Sequence, residues 1–421
     1  MHKIIEACRI CGQRDLLPIM SLGEQAYTGI FPSADSPKVG RAPLELVKCD
    51  DSKDDQHCGL VQLKHSFSPS DLYGAHYGYR SGLNTSMVEH LKNKVQHIEG
   101  LVSIDKDDLI IDIGANDGTT LGSYTQQGQS LLGIDPSAEK FRKYYASHVD
   151  LIVDFFSKEL IEQKYPGRKA KVITSFAMFY DLEKPLDFVR EIESLLAKDG
   201  IWVFEQSYLP SMLRTNSYDT ICHEHLEYYI LKNIKWMLDR AGLRIVDISL
   251  NNVNGGSFSV IAAKASNTDL KPSLAVTKML QDEKELGLSH MKVYEDFKGR
   301  VEKHREDLKA LVAKIESKNY KLFGYGASTK GNVLLQYCGL DSQHLQSIAD
   351  VNPDKFGCVT PGTRIPIESE ADAKLKNPDF FIVLPWHFKE GIIKREVDFI
   401  RKGGGLIFPL PELQIVGGPE L

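Results

Sequence analysis

The residues with the most chemical potential lie in one short run, YDTICHEHLEYY, residues 218–229, where His223 and His225 flank Glu224. An imidazole titrates near physiological pH, so it suits a proton carrier or a metal ligand. Three readings compete for the triplet: a metal pair, a general acid/base centre, or a polar turn whose histidines are simply hydrogen-bonded. The metal reading is weakened because no convincing third and fourth ligand stands nearby in the sequence. A separate cluster offers a metal site of another kind. Four of the seven cysteines, Cys8, Cys11, Cys49 and Cys58, fall near the N-terminus. Four thiolates in tetrahedral array suit structural zinc and leave no open position for catalysis. The insert DDSKDDQH between the last two holds His57 as a substitute ligand.

Two glycine-rich turns follow. DLIIDIGANDGTTL ends an apolar run in Asp112 and turns through Gly114, Asn116, Asp117 and Gly118, and SLLGIDPSAE ends the next run in Asp135. Glycines let the backbone approach a ligand closely, and the acid closing the next strand is placed as a ribose binder. The pattern D-x-G-x-N-D-G puts a carboxylate where dinucleotide turns carry glycine. That suits a sulfonium or ammonium better than a pyrophosphate, so S-adenosylmethionine is expected here. The second turn, YKLFGYGASTKGN, carries Gly326, Ser328 and Lys330, and LPWHFKEGI brings Trp386 and His387 after a later strand. It reads either as a nucleotide-binding turn with Lys330 near phosphate or as a turn kept for packing. Trp386 reads equally as a core residue.

The elements that position these residues are strands and helices in alternation. DLIIDIG, SLLGID, KVITSFAMF, GIWVFEQ, LRIVDISL and SFSVIAAK read as strands, and LDFVREIESLLAKDG as a helix closed by glycine. Such alternation implies an α/β fold with a mostly parallel sheet. We divide the chain into a zinc-binding domain at 1–68, a cofactor-binding α/β core at 69–267, a charged helical connector at 268–318 read as solvated, and a Rossmann-like unit at 319–421. The formal net charge of −6 gives no basic footprint for nucleic acid. No run is long and apolar enough for a membrane span or signal peptide. A cytoplasmic monomer is expected.

In combination and order these features resemble the sugar C-methyltransferase family, which methylates a carbon beside the keto group of nucleotide-linked deoxysugars, as in tetronitrose and noviose biosynthesis. The most specific match is FEQSYLPSMLRTNSYDTICHEHLEYY; DIGANDGT resembles the family's cofactor turn and GYGASTKG its C-terminal signature. The resemblance implies a class I S-adenosylmethionine-dependent core, His225 as general base, and Glu224 and His223 shaping the sugar site. It also implies that Tyr77 and Tyr79, in HYGYRSGLNTSM with Ser81 and Met87, reach over the sugar. Cys222 stands where several members carry Tyr, and Phe258-Ser259 where an Arg often follows Gly-Gly-Ser. The implied reaction is methylation at C3 of a 4-keto-6-deoxy sugar through an enolate. Methylation at C5 is an alternative, as is an NAD-dependent nucleotide-sugar epimerase or dehydrogenase.

Overall fold

The computed structural model describes residues 2–36, 38–68, 72, 79–126 and 128–421; Tyr77 lies outside them. At its middle is a seven-stranded sheet in the order Leu243–Asn251, Ser257–Lys264, Leu196–Ser207, Ala170–Phe176, Leu109–Ile113, Ser130–Ile134, Val149–Ile152. Ser257–Lys264 is antiparallel to both neighbours, and the other pairings are parallel. Every residue of Leu109–Ile113 is buried, which is why that strand is a continuous apolar run broken only by Asp112. The chain leaves this strand to one side and returns on the other, so a crevice opens where the strand order reverses.

The helix expected to run to Gly200 ends at Leu195. Leu196 already pairs with Ala170, and the register shifts before Ile201. A Cβ at Gly200 would lie 2.6 Å from the Ala170 carbonyl oxygen, so this glycine permits close strand contact and caps nothing.

The C-terminal unit is a six-stranded sheet ordered Ile367–Ser369, Ile348–Asp350, Leu322–Tyr325, Phe380–Val383, Gly405–Phe408, Gln414–Gly417. Its order also reverses beside its first strand in sequence, Leu322–Tyr325. The N-terminal unit contributes a four-stranded sheet of Leu16–Ala26, Arg41–Cys49, Val61–Leu63 and, from far along the chain, Glu227–Tyr228. That last strand follows directly on the His-Glu-His triplet. Packing thus crosses the boundaries drawn from chain order. One apolar core joins Leu44 and Leu63 to Tyr218, Ile221 and Cys222 and on to Val333 and Leu334. A second runs from Cys8 and Cys49 into Phe179 and Trp202.

The charged connector is two helices, Leu274–Glu285 and Met291–Ser317, and the longer one is not simply solvated. Tyr294, Phe297, Val301, His304, Leu308, Val312 and Ile315 recur at three- and four-residue steps and are buried, the apolar ones in the core that includes the C-terminal sheet. Its many charges cover only the outer face. Among the described residues, no helix is long and apolar enough to cross a membrane.

Candidate active site

The four N-terminal cysteines converge. Their Sγ atoms all lie within 4.8 Å of one another, with Cys8–Cys58 at 3.4 Å and Cys11–Cys49 at 3.5 Å. Thiolates about 2.3 Å from a tetrahedral metal stand about 3.8 Å apart, so the quartet fits such an ion. His57 is not a ligand, because its Nδ1 bonds Asp54 at 2.6 Å and its Nε2 bonds Asp15 at 3.2 Å. Among the described residues this quartet is the one group of potential ligands that could hold a metal. The metal-pair reading of His223 and His225 therefore falls.

The crevice of the middle sheet holds a cavity of about 400 Å³ lined by Asp112, Gly114, Asn116, Asp135, Met178 and Glu205, among others. Gly114 and Gly118 take left-handed φ values of 75° and 78°, which bends the turn around the strand end. Asp135 closes the second strand; its carboxylate accepts the Asn116 N–H at 2.8 Å and the Ser137 N–H at 2.6 Å. Asp112 accepts a hydrogen bond from Thr174 Oγ1 at 2.6 Å, and burial pushes its carboxyl up to about 7.

The polar side chains of the turn do something the spacing did not reveal. Asn116 Oδ1 accepts the Ser81 N–H at 2.9 Å, and its Nδ2 donates to the Tyr79 carbonyl at 3.2 Å. Asp117 Oδ2 accepts the Gly82 N–H at 2.9 Å. These two side chains clamp residues 79–82 against the cavity. Tyr79, Ser81 and Met87 accordingly line this cavity, where the resemblance implied cover for the sugar.

Sequence reasoning missed Glu205 and Gln206 as site residues. Glu205 is buried, with His90 at 2.5 Å, Lys94 at 2.7 Å and Asn251 at 2.8 Å on its carboxylate. Neither polar atom of the neighbouring Gln206 side chain has a protein partner. The signal was present as the switch from GIWVF to polar EQS at a strand end.

The triplet forms a turn, with the His225 N–H bonded to the Cys222 carbonyl at 3.2 Å. Its two histidines have different surroundings. His223 is fully buried, edge-on between Tyr27 and Phe67, and its Nε2 donates to the Ala42 carbonyl at 3.1 Å. Burial holds it down at about 4. It is a core residue that ties the loop to the N-terminal sheet, and it does not reach the site. His225 is half-buried, with its ring 4.3 Å from that of Tyr180. Its Nδ1 lies 2.9 Å from the Thr220 carbonyl. Because a carbonyl only accepts, Nδ1 carries the proton and the Nε2 lone pair is free. Burial first, then the Lys330 charge, hold His225 at about 3, so it is neutral at physiological pH. Glu224 is buried; Thr28 Oγ1 donates to its Oε2 at 3.3 Å, its Oε1 has no partner, and burial raises its pKa. Cys222 is fully buried in the core.

The C-terminal residues also divide. Ser328 caps the helix Thr329–Cys338, its Oγ accepting the Gly331 N–H at 3.0 Å. Gly326, at φ 81°, leaves no room for a Cβ, which would meet Pro385 at 2.6 Å. Both therefore serve the fold. Lys330 points back toward the middle unit, its Nζ donating to the Asn254 carbonyl at 2.5 Å. Trp386 is buried and donates from Nε1 to Asp219 Oδ2 at 2.8 Å. His387 is half-buried with an unpartnered Nδ1, held at about 3 by burial and by Lys330.

A second cavity of about 430 Å³ is lined from all three units, by Phe31 and Ser33, by Arg80 and Phe141, and by Asn352 and Lys355, among others. Lys355 sits 4.5 Å over the Phe31 ring. Nothing in the motif reading pointed to Phe31 or Lys355.

Comparison with known proteins agrees with this layout. Three family models match in chain order: "Putative zinc binding domain" at residues 8–73, "Methyltransferase domain" at 87–248 and "C-methyltransferase C-terminal domain" at 252–411. The C-methyltransferase NovU of Streptomyces niveus is 31% identical over 98% of this chain and 97% of its own. A chain in the complex of the Haloferax volcanii Trm112 activator with a methyltransferase aligns at 13% identity and TM-score 0.36, covering 44% of this chain and 94% of that one. The CcbJ methyltransferase of Streptomyces caelestis aligns at 12% identity and TM-score 0.33, covering 41% and 89%. The match to NovU along nearly the whole of both chains, with all three domain models in order, places this chain in the family of S-adenosylmethionine-dependent C-methyltransferases.

Proposed function

We propose that the protein methylates C3 of a nucleotide-linked 4-keto-6-deoxy sugar, with His225 taking the C3 proton. The observation that carries this reading is the state of His225: neutral, its Nδ1 committed to Thr220, its Nε2 lone pair free, with the Lys330 charge of the C-terminal unit acting on it. A carbon attacks a sulfonium methyl only when it bears negative charge, and a ketone beside it provides that charge by enolisation. A positioned base contributes about 10²–10⁴-fold to such a step. S-adenosylmethionine supplies the methyl group as the carbon–sulfur bond breaks. Asp112, Gly114, Asn116 and Asp135 line its crevice, which Asp117 and Gly118 shape from behind.

The nucleotide is assigned to the second cavity, where Arg80 and Lys355 suit a diphosphate and Phe31 and Phe141 suit a base. NAD on the C-terminal turn is disfavoured by packing. The N-terminal segment lies against the helix start that would face a pyrophosphate: Asn332 Nδ2 donates to the Thr28 carbonyl at 2.8 Å, and a Cβ on Gly29 would lie 3.8 Å from Thr329 Oγ1. Zinc is assigned to the four cysteines as a closed structural ion.

Mass spectrometry on the protein with S-adenosylmethionine and 4-keto-6-deoxy sugars carrying dTDP, GDP, CDP or UDP tests the assignment. One product heavier by a methylene, with NMR placing the new methyl on C3, is expected. No methylated product from any sugar, despite measurable cofactor binding, sinks the keto-sugar reading, and a methyl on C5 moves the base to the other side of the ring.

A further inference from the structure

Building on that reading, we propose that Lys330 is a catalytic residue whose ammonium binds the sugar's C4 oxygen as it becomes an enolate. Enolisation needs a donor at that oxygen as much as a base at the carbon. The donors nearest in sequence to the base are spent: His223 bonds Ala42 inside the core, and Cys222 is sealed within it. Lys330 is placed to supply what they do not.

A circuit of contacts ties it to the base. Lys330 Nζ bonds the carbonyl of Asn254, which lines the cofactor cavity. A Cβ on the next residue, Gly255, would meet the Trp386 ring at 3.4 Å. Trp386 holds Asp219 at 2.8 Å, and the carbonyl of the following residue, Thr220, fixes His225 at 2.9 Å. Cofactor-cavity rim, cation, indole and base are thereby linked in one chain of contacts. Among the described residues Lys330 makes no ion pair, and its single hydrogen bond, to Asn254, leaves two N–H donors. The cations suited to the diphosphate, Arg80 and Lys355, line the other cavity, so Lys330 is not needed there.

The charge serves both ends of the reaction. Before reaction burial, and then the Lys330 charge, keep His225 unprotonated. His225 Nε2 then takes the C3 proton, the C3–H electron pair becomes the C3=C4 bond, and the carbonyl π pair moves onto O4 against Lys330. The new oxyanion neutralises the cation, so the imidazolium is no longer opposed by it. Return of a solvent-exchanged proton to C3 reverses the step and requires no cofactor.

The test is exchange of C3–H for deuterium in D₂O, followed by NMR on the same four sugar nucleotides without cofactor. Lys330→Met is expected to slow exchange at saturating sugar by about 10²–10³-fold, with Lys330→Arg recovering part of the rate. Unchanged S-adenosylmethionine affinity in Lys330→Met shows that the fold is intact. Exchange by that variant within about threefold of the parent overturns the proposal. So does a raised KM with unchanged maximal exchange, which would put Lys330 on the phosphates. If the parent exchanges no sugar while binding cofactor, the keto-sugar reading fails first and takes this role with it.

Discussion

The middle and C-terminal units use the same device at the same place and put it to different ends. In each, the first strand of its unit's βαβ run turns through a left-handed glycine, and the aspartate ending the next strand ties that turn down. Asp135 accepts the N–H of Asn116 and of Ser137; Asp350 accepts those of Ala327 at 2.6 Å and Asn352 at 2.7 Å. Two residues before the turn glycine the units part. The middle strand presents Asp112 to a cavity of about 400 Å³. The C-terminal strand has Gly324, where a Cβ would strike Ile348 at 2.7 Å. Above the C-terminal helix start lies the N-terminal segment at Thr28, whereas the middle turn, with residues 79–82 held beside it, still borders a cavity. A turn that borders a cavity and a turn packed under another segment thus share their glycines and acids, and what covers the turn separates them.

If the units divide the work in this way, the base lies between them and belongs to neither turn. His225→Ala is expected to lower methyl transfer by about 10²–10⁴-fold and leave S-adenosylmethionine affinity unchanged. Single-turnover rates with calorimetry on the same variant check this. Near-normal turnover would return the triplet to a polar turn, and lost cofactor binding would merge the two sites.

The paired aspartates break the comparison most directly. Asp135→Ala frees two buried N–H groups beside the cofactor and is expected to weaken S-adenosylmethionine binding by about 1–3 kcal/mol. Asp350→Ala frees two equivalent groups in the other unit. It should cost about 1–3 kcal/mol of stability in denaturant titration and leave cofactor affinity alone. Equal loss of cofactor affinity in both variants would mean that the units are coupled, not divided.

The sequence was most legible where backbone and burial dictate residue type. The six strand runs read for the middle sheet, the cysteine quartet and the two turns all follow from apolar periodicity, glycine and thiolate chemistry, and each lies where expected, whereas the short edge strand Val149–Ile152 was not marked. It was least legible where a residue's partner is far along the chain. Nothing local marks Glu227–Tyr228 as a strand of the N-terminal sheet, because its partner is Val61–Gln62. His223 and His225 look equivalent in HEH, yet Ala42 claims one and leaves the other for chemistry. The charges of Met291–Ser317 masked a buried stripe, since a long helix carries a wet face and an apolar face at once. Asn116 and Asp117 read as ligand contacts, but residues 79–82 take up their hydrogen-bonding groups.

Asp112 sharpens the contrast by titration, since Gly324 has no counterpart to it. Burial raises the Asp112 carboxyl to about 7, against about 3.9 in an unfolded chain. The free protein therefore holds a proton between these values that the unfolded chain has released. Stability contributed at this position falls as pH rises from about 4 to about 7. Asp112→Asn should remove that slope, so the difference between the two proteins' denaturation curves isolates it from the histidines. A bound cation favours the carboxylate and draws its pKa down. S-adenosylmethionine affinity should then rise up to about tenfold per pH unit below 7 and level off above it, with close to one proton released on binding at pH 6. Calorimetry in two buffers of different ionisation heat counts that proton. An affinity that is level below pH 7 and falls above it would leave Asp112 protonated in the complex, donating to the ligand. In that case the carboxylate that distinguishes the middle turn would act as a hydrogen-bond donor and not as a counter-charge.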